Sequence, residues 1–545
     1  MPVSVSSNLT KEDWHPSSLL PYDTLLNRQD DFDSIMSYPQ STAGTGTDFY
    51  DRSLTSRRYA LVGLACSSII ACAYIVAGAV IIHNYGVSGV ASIDIYILPP
   101  DLMLNFTVTL CTESTSFVHG ISLRSALASQ SRLRFNTNLR LLTAVGGWRN
   151  PNGTLLNGIM AFLLIISYSS ASSATFYDTV DVPSGSIGFE VFAGVPLLFL
   201  GVALLLQVVV ALSGLWAVKI LTWSSSPFDL TAAMVLHTQL VPAPFRCMPK
   251  PSDSQPSAWH AHPSIRKVVI SLWGLVVACA GWAALVMCIW GEYGGDKFMS
   301  YALNIQRWSF TPNQQLFAPA SGMQSNNISY TIPGVSIQWW ILVFVNMAVI
   351  QGPLTLGLHC SELIVNIIRD ERQWRCATGR KGLRTATNPL KGAFTNPLSL
   401  ILFIVKPLLH WMFGLSFLVY GYANNGNLGT LMVHMFTTQI WNLCIALAIF
   451  ACFFTVVALR RPRGPQPATY GHLQTLANLV DEWSPIMWWG HKEDGIPYCH
   501  SGTSDHPLPD VKMDCVYGGS GVESPASVSR EAFTEFHTIA GLAMR

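Results

Sequence analysis

Six ionisable side chains lie within or at the ends of long apolar runs: Glu113, His119, His359, Glu362, Lys406 and His410. An unpaired charge at the middle of a membrane helix costs about 2.5–3.5 kcal/mol on insertion scales. Such groups therefore point by default to a pairing or to a path for ions or protons. Lys406 and His410 are four positions apart, and His359 and Glu362 three. Each pair therefore shares a helix face. An ion pair between Glu362 and Lys406 would offset part of the burial cost. The competing expectation is that the long Lys406 stem snorkels to the headgroups and that Glu362 sits at the interface. Glu113 is expected near mid-bilayer, where a carboxylate must be protonated or paired.

No GxSxG, HExxH, Walker A or GxGxxG pattern occurs, so the recognisable catalytic constellations are missing and no enzyme is expected. His260, His262, His491, His500 and His506 fall in polar segments without ligand spacing, and no paired-cysteine motif is present. Neither a metal site nor a cofactor is expected.

The elements that must hold the six groups are membrane helices. The chain is 50% hydrophobic and only 12% charged, with a mean hydropathy of +0.35. A soluble domain carries roughly 25% charged residues. With a net charge of +1, nothing points to nucleic acid as a partner. Apolar runs of the required length, about 20 residues, cover 59–82, 191–218, 268–290, 335–362, 397–422 and 431–459. Two further segments, 102–123 and 155–171, are ambiguous. Five arginines and no acid lie between them: Arg124, Arg132, Arg134, Arg140 and Arg149. Lys and Arg collect on the cytoplasmic side of short loops, so counting both segments as passes gives eight. On that count 29 of the 32 basic residues lie inside, two outside and one, Lys406, in a helix. Counting neither gives a six-pass alternative with a long external domain.

The fold expected is thus an all-α, polytopic transmembrane bundle of eight passes with both termini cytoplasmic. Residues 1–58 form an acidic, Ser/Thr-rich disordered tail, 59–222 the first membrane half and 223–266 a cytoplasmic loop. Residues 267–459 form the second half, and 460–545 a tail with an amphipathic helix over 468–483. Leu473, Leu476, Val480 and Trp483 would make its apolar face. All twelve cysteines fall in helices or the cytosol, where thiols stay reduced. Of four N-glycosylation sequons, at Asn8, Asn105, Asn152 and Asn327, only Asn327 is expected on the external side. Two short motifs recur: Cys111-Thr112-Glu113 and Cys360-Ser361-Glu362, each after a Tyr-x-x-Pro, at Pro99 and Pro333. They suggest a 4+4 duplication with both halves in the same orientation. The spacings differ, 12 positions from Pro99 to Cys111 and 27 from Pro333 to Cys360, and chance recurrence is the competing explanation.

The strings TLCTESTSFVHGISLRSAL, LRFNTNLRLL, LHCSELIVNIIRDERQWR and PATYGHLQTLANLVDEW resemble a group of uncharacterised fungal multi-pass membrane proteins. The resemblance implies a helical membrane protein of fungal type and carries no activity or site residue. The function expected from the residues is transport of a small solute or proton. The alternative is a membrane scaffold or sensor that recruits cytosolic proteins through its tails. The lipid bilayer is the one partner common to both; which membrane it is does not follow from the sequence.

Overall fold

The computed structural model describes residues 54–92, 99–182, 185–243, 251–293, 327–385, 396–424, 427–495 and 498–518. The acidic head over 1–53, with Asn8, lies outside the described residues, as do Lys297 and Arg307. Eight long helices make the body: α1 (Leu54–Tyr85), α2 (Pro100–Ser129), α3 (Thr154–Ser172), α4 (Gly194–Trp216), then, after the short α5 (Pro227–Leu236) and α6 (Ala258–Ala261), α7 (Pro263–Tyr293), α8 (Ile337–Cys360) with its continuation α9 (Glu362–Arg375), α10 (Pro397–Ser416) and α11 (Thr437–Leu459). Seven of them, all but α2, are long and apolar enough to cross a membrane. Large apolar side chains stay exposed along their outer faces at seven-residue intervals: Val62, Ile69 and Val76 on α1, Ile270 and Val277 on α7, Ile449 and Val456 on α11. A soluble protein does not leave such stripes uncovered.

α2 falls short on hydropathy because of its Ser, Thr, Asn and His content, and the packing shows why it is tolerated. Most of it is buried among other helices. Its hydroxyls bond back to carbonyls one turn earlier: Thr109 to Asn105, Ser114 to Leu110, Thr115 to Cys111. A satisfied hydroxyl is cheap inside a bundle.

The helices α1–α4 and α7, α8, α10, α11 pack in matching patterns. The first and fourth of each set run together (α1 with α4, α7 with α11), as do the third and fourth (α3 with α4, α10 with α11). Across the middle, α2 packs on α10 and α8 packs on α3. One contact, α2 along α4, has no counterpart of similar extent. Close approach of α1 and α4 rests on glycine. A Cβ at Gly201 would lie 2.6 Å from the Ala71 carbonyl oxygen, and one at Gly78 2.7 Å from that of Gly194.

The connections at one end of the bundle fold into a six-stranded sheet. Its strands are β1 (Val90–Ser92), β2 (Thr175–Val182), β3 (Gly185–Ala193), β4 (Asn327–Ile332) and, further along, β6 (Phe417–Asn424) and β7 (Asn427–Phe436). The order is β1-β3-β2-β6-β7-β4. It reads as two copies of one three-strand unit: the hairpin after the third helix, edged by the strand between the first and second. β2 and β6 meet in parallel, Tyr177 opposite Tyr422 and Asp178 opposite Ala423; β1–β3, β2–β3, β4–β7 and β6–β7 are antiparallel.

The other end gathers the described basic residues apart from Lys406, and a smaller sheet. β5 (Leu383–Arg384) pairs with β8 (Ile486–Glu493), followed by β9 (Cys499–Ser504) and β10 (Tyr517–Gly518). Helices dominate, as the sequence indicates, but an all-α description omits both sheets. Residues 417–422 and 431–436, expected as the ends of two helices, belong instead to the paired strands β6 and β7. Asn425-Gly426 between two β-branched, aromatic runs favours a hairpin turn. In the tail, the helix is α12 (Leu473–Leu479), shorter than 468–483. Leu473, Leu476 and Val480 are buried; Trp483 packs half-buried against the cluster that holds Leu476 and Val480, whereas Leu473 packs with Leu127 and Leu230.

Gly201→Val should strain the α1–α4 contact by about 1–3 kcal/mol, the usual cost of overpacking. Gly158→Ala, with nothing within 4 Å of its Cβ, should be near neutral. Thermal unfolding in detergent checks this; equal melting temperatures for the two variants would refute the close approach.

Candidate functional site

Lys406 lies in the middle of α10 and is 1% exposed. Its Nζ donates to Oε1 of Glu113 on α2 and to Oε1 of Glu362 at the start of α9. The two carboxylates come from the two Cys-x-Glu motifs. Their unequal distances from the preceding proline reflect a longer first stretch in α8 than in α2, and both acids nonetheless reach the same ammonium. His359 Nδ1 lies 3.0 Å from Glu362 Oε1. Glu113, His359 and Glu362 bring their ligand atoms within 4.8 Å of one another, a spacing that suits a cation, and the Lys406 ammonium already fills that role.

One turn further toward the six-stranded sheet is a neutral polar layer. His410 stacks on Tyr168 of α3, ring centroids 3.7 Å apart and planes 13° from parallel. Gln351 Nε2 is 3.1 Å from His410 Nδ1 and donates to Ser172 Oγ at 3.3 Å. Tyr168 Oη and Thr109 Oγ1 share a hydrogen bond of 3.0 Å. Five of the six groups singled out by sequence therefore meet in two adjoining layers. His119 does not join them. It lies six positions past Glu113, on another face of α2, and its ring nitrogens meet no hydrogen-bond partner among the described residues. Sequence reasoning missed Tyr168 and Arg140. A lone phenol in an apolar run was the available signal for the first; Arg140 lies on a loop and carried none.

A cavity of about 680 Å³ reaches the ion centre from the basic end. Its wall includes Arg124, Arg140, Arg369 and Arg372 nearer that end and Glu113, Glu362, His359 and Lys406 at depth; Tyr168, His410 and Gln351 do not line it. The stacked layer thus closes the path between the cavity and the sheet. The arrangement can hold an anionic or polar group near the arginines and exchange a proton or cation at the carboxylates.

The basic end is braced by the tail. Glu371 of α9 accepts the backbone N–H groups of Thr469 and Tyr470, both at 2.9 Å, and pairs with Arg375 at 2.8 Å. Trp374 Nε1 donates to the Pro467 carbonyl at 2.7 Å. Beyond α12, Asp481 accepts from Lys492 Nζ and His500 Nε2, each at 2.9 Å, and from Thr503 N at 2.6 Å. Burial alone would push the Asp481 carboxyl up. The His500 hydrogen bond and the Lys492 charge hold it well below the ordinary range instead. The same hydrogen bond raises His500 above its ordinary 6.5, against burial.

Two outcomes follow. Lys406→Met leaves the half-buried Glu113 and Glu362 carboxylates without their cation and should cost about 1–3 kcal/mol, less than breaking a fully buried pair because water reaches both acids. Adding Glu113→Gln and Glu362→Gln should recover most of it. An unchanged melting temperature for Lys406→Met would sink the ion centre as a structural element. In the tail, His500 stabilises fully below pH about 6.5 and loses that contribution as pH rises through its raised pKa. Asp481 stabilises above pH about 3.8, and that is lost as pH falls through its depressed pKa. Amide exchange in β8 and β9 should therefore separate wild type from His500→Ala at pH 6 and converge in alkali; a pH-independent difference would refute the linkage.

The chain matches no protein-family model, no curated protein and no solved structure; the seven helices among the described residues that are long and apolar enough to cross a membrane are compatible with a multi-pass membrane protein.

Proposed function

We propose that this protein is an eight-pass carrier that moves a small solute or a proton through the Lys406 centre. The observation that carries the reading is the cavity that descends from the basic end to Lys406, Glu113 and Glu362. A protein serving only as a scaffold has no need of ionised groups at this depth, where each is expensive. Two carboxylates facing one ammonium leave one negative charge to be balanced by a proton, a cation or the nearby Arg140. That imbalance is what a coupled carrier uses.

In this reading α2 is the eighth pass, which its burial between α1, α3, α4 and α10 supports. The mirrored helix contacts and the mirrored sheet support a 4+4 arrangement with the pseudo-twofold axis along the membrane normal. The offset from the start of the third helix to the start of the fourth is the same in both halves: Thr154 to Gly194, Pro397 to Thr437. Such parallel repeats in carriers enclose a site near the membrane midplane. The distribution of basic residues supports cytoplasmic termini. The cavity then opens to the cytoplasm, and the Tyr168–His410 stack is the closed gate. The scaffold reading draws on one feature, the folded tail clamped to α9 through Glu371.

Purified protein in liposomes loaded with a pH-sensitive dye tests the reading. Wild type should dissipate an imposed pH gradient faster than the Glu113→Gln/Glu362→Gln variant, by at least several-fold. Equal rates, with both proteins folded, would overturn proton movement through this centre. The topology has its own test. Asn327 opens β4 at the sheet end, whereas Asn152 is fully buried, bonded to Ser122 and to the Gly214 carbonyl at the basic end. Asn105 is buried within α2. Asn327→Gln should remove any glycan shift on gels; a glycan lost instead from Asn152→Gln would demand the six-pass topology.

A further inference from the structure

The tail contains a second cluster of chemically capable side chains, unrelated to the ion centre. His491 lies on β8, Asp494 just past its end, Cys499 at the start of β9 and Cys515 two residues before β10. A register shift in the β8–β9 ladder between His491 and Glu493 re-aims the strand there, as bulges do. His491 Nε2 lies 3.3 Å from Asp494 Oδ1, and Cys499 Sγ 3.9 Å from the same oxygen. All three ligand atoms fall within 4.8 Å of one another. Cys515 neighbours Cys499 but lies outside that group of three, so it would have to turn toward the ion; both are free thiols.

The His491–Asp494 separation is that of a tetrahedron's edge around one ion, and the Cys499–Asp494 separation is a few tenths of an ångström wider than one. With metal–nitrogen and metal–oxygen bonds near 2.0 Å and metal–sulfur near 2.3 Å, the edges are about 3.3 Å and about 3.5 Å. The surroundings are also those of a ligand set. His491 is buried, and its other nitrogen, Nδ1, is 2.9 Å from the hydroxyl of buried Tyr517. With Nε2 on an ion, Nδ1–H donates to that hydroxyl and fixes the ring, the usual outer partner of a ligating histidine. Lys512 Nζ donates to both oxygens of Asp494, at 2.5 Å to Oδ1 and 2.7 Å to Oδ2; an ion at Oδ1 would displace the first of these bonds, and the ammonium kept on Oδ2 would offset the negative charge of two thiolates and a carboxylate.

We infer that His491, Asp494, Cys499 and Cys515 form a structural zinc site that closes the tail module. Four protein ligands with no open position indicate a structural rather than a catalytic ion. The histidines of this region lack a recognisable ligand spacing because their partners are one Asp and two Cys scattered over three strands. The inference is independent of the transport reading.

Full-length protein purified without chelator should contain about one zinc per chain by elemental analysis. Cys499→Ser and Asp494→Asn should each lower it to a small fraction, while Cys376→Ser, elsewhere at the same end, should not. Cobalt titration of wild-type protein stripped of metal avoids any folding defect in the variants. A tetrahedral thiolate site should give strong visible absorption between about 600 and 750 nm that zinc abolishes. Metal-free protein that gives no such band, or a Cys499–Cys515 disulfide found by mass spectrometry in protein purified under native conditions, would overturn the assignment.

Discussion

One ammonium between two carboxylates sets the terms for the rest of this molecule. Lys406 can be buried only because Glu113 and Glu362 arrive from two different helices and reach the same nitrogen. An isolated charge at that depth would cost several kcal/mol, and a single carboxylate would satisfy only part of its three donors. The requirement brings α2, α9 and α10 together at one point. It also explains why α2, the least apolar of the long helices, occupies the interior: the groups that lower its hydropathy face protein rather than lipid.

Much of this was legible in the sequence. Length and apolarity located six helices outright and left α3 ambiguous. The arginines after Ser122 restored α2, which hydropathy alone rejects, since hydroxyls bonded to their own helix backbone score as polar yet behave as satisfied. Lys406 and Glu362 were legible as expensive groups that needed each other. Glu113 was legible as a group needing some partner, but its meeting with the same lysine was not, because that depends on how α2 packs against α10. The two sheets were illegible for a different reason. Residues 417–423 and 428–436 are mostly apolar and continue the helical runs on either side, so they read as helix ends unless Asn425-Gly426 is given priority as a turn signal. In the tail, the helical pattern runs on to Trp483, but Asp481 is recruited by His500, Lys492 and Thr503, and those bonds pull the chain out of helix after Leu479.

The polar layers order themselves by charge along the bundle axis. Arginines line the cavity near the basic end, ionised groups occupy its floor, and a neutral stack of Tyr168, His410 and Gln351 follows. Beyond it large aromatic side chains predominate, with Trp340, Phe413 and Phe417 beneath the sheet, beside the buried polar groups of Ser416 and Gln439.

The six-stranded sheet has a weak joint where its two units meet. Each unit carries a long antiparallel hairpin, eight residue pairs between β2 and β3 and as many between β6 and β7. The parallel seam between β2 and β6 has only two. Each hairpin is thus stiffer than the seam, which a further link supplements, the Leu428 N–H donating to the Ser88 carbonyl at 2.8 Å. Relative motion of the two helix sets would be absorbed at the seam, at the loss of few hydrogen bonds, while the hairpins and the helices they cap turn as units. A sheet joined this sparingly ties the halves together without locking them.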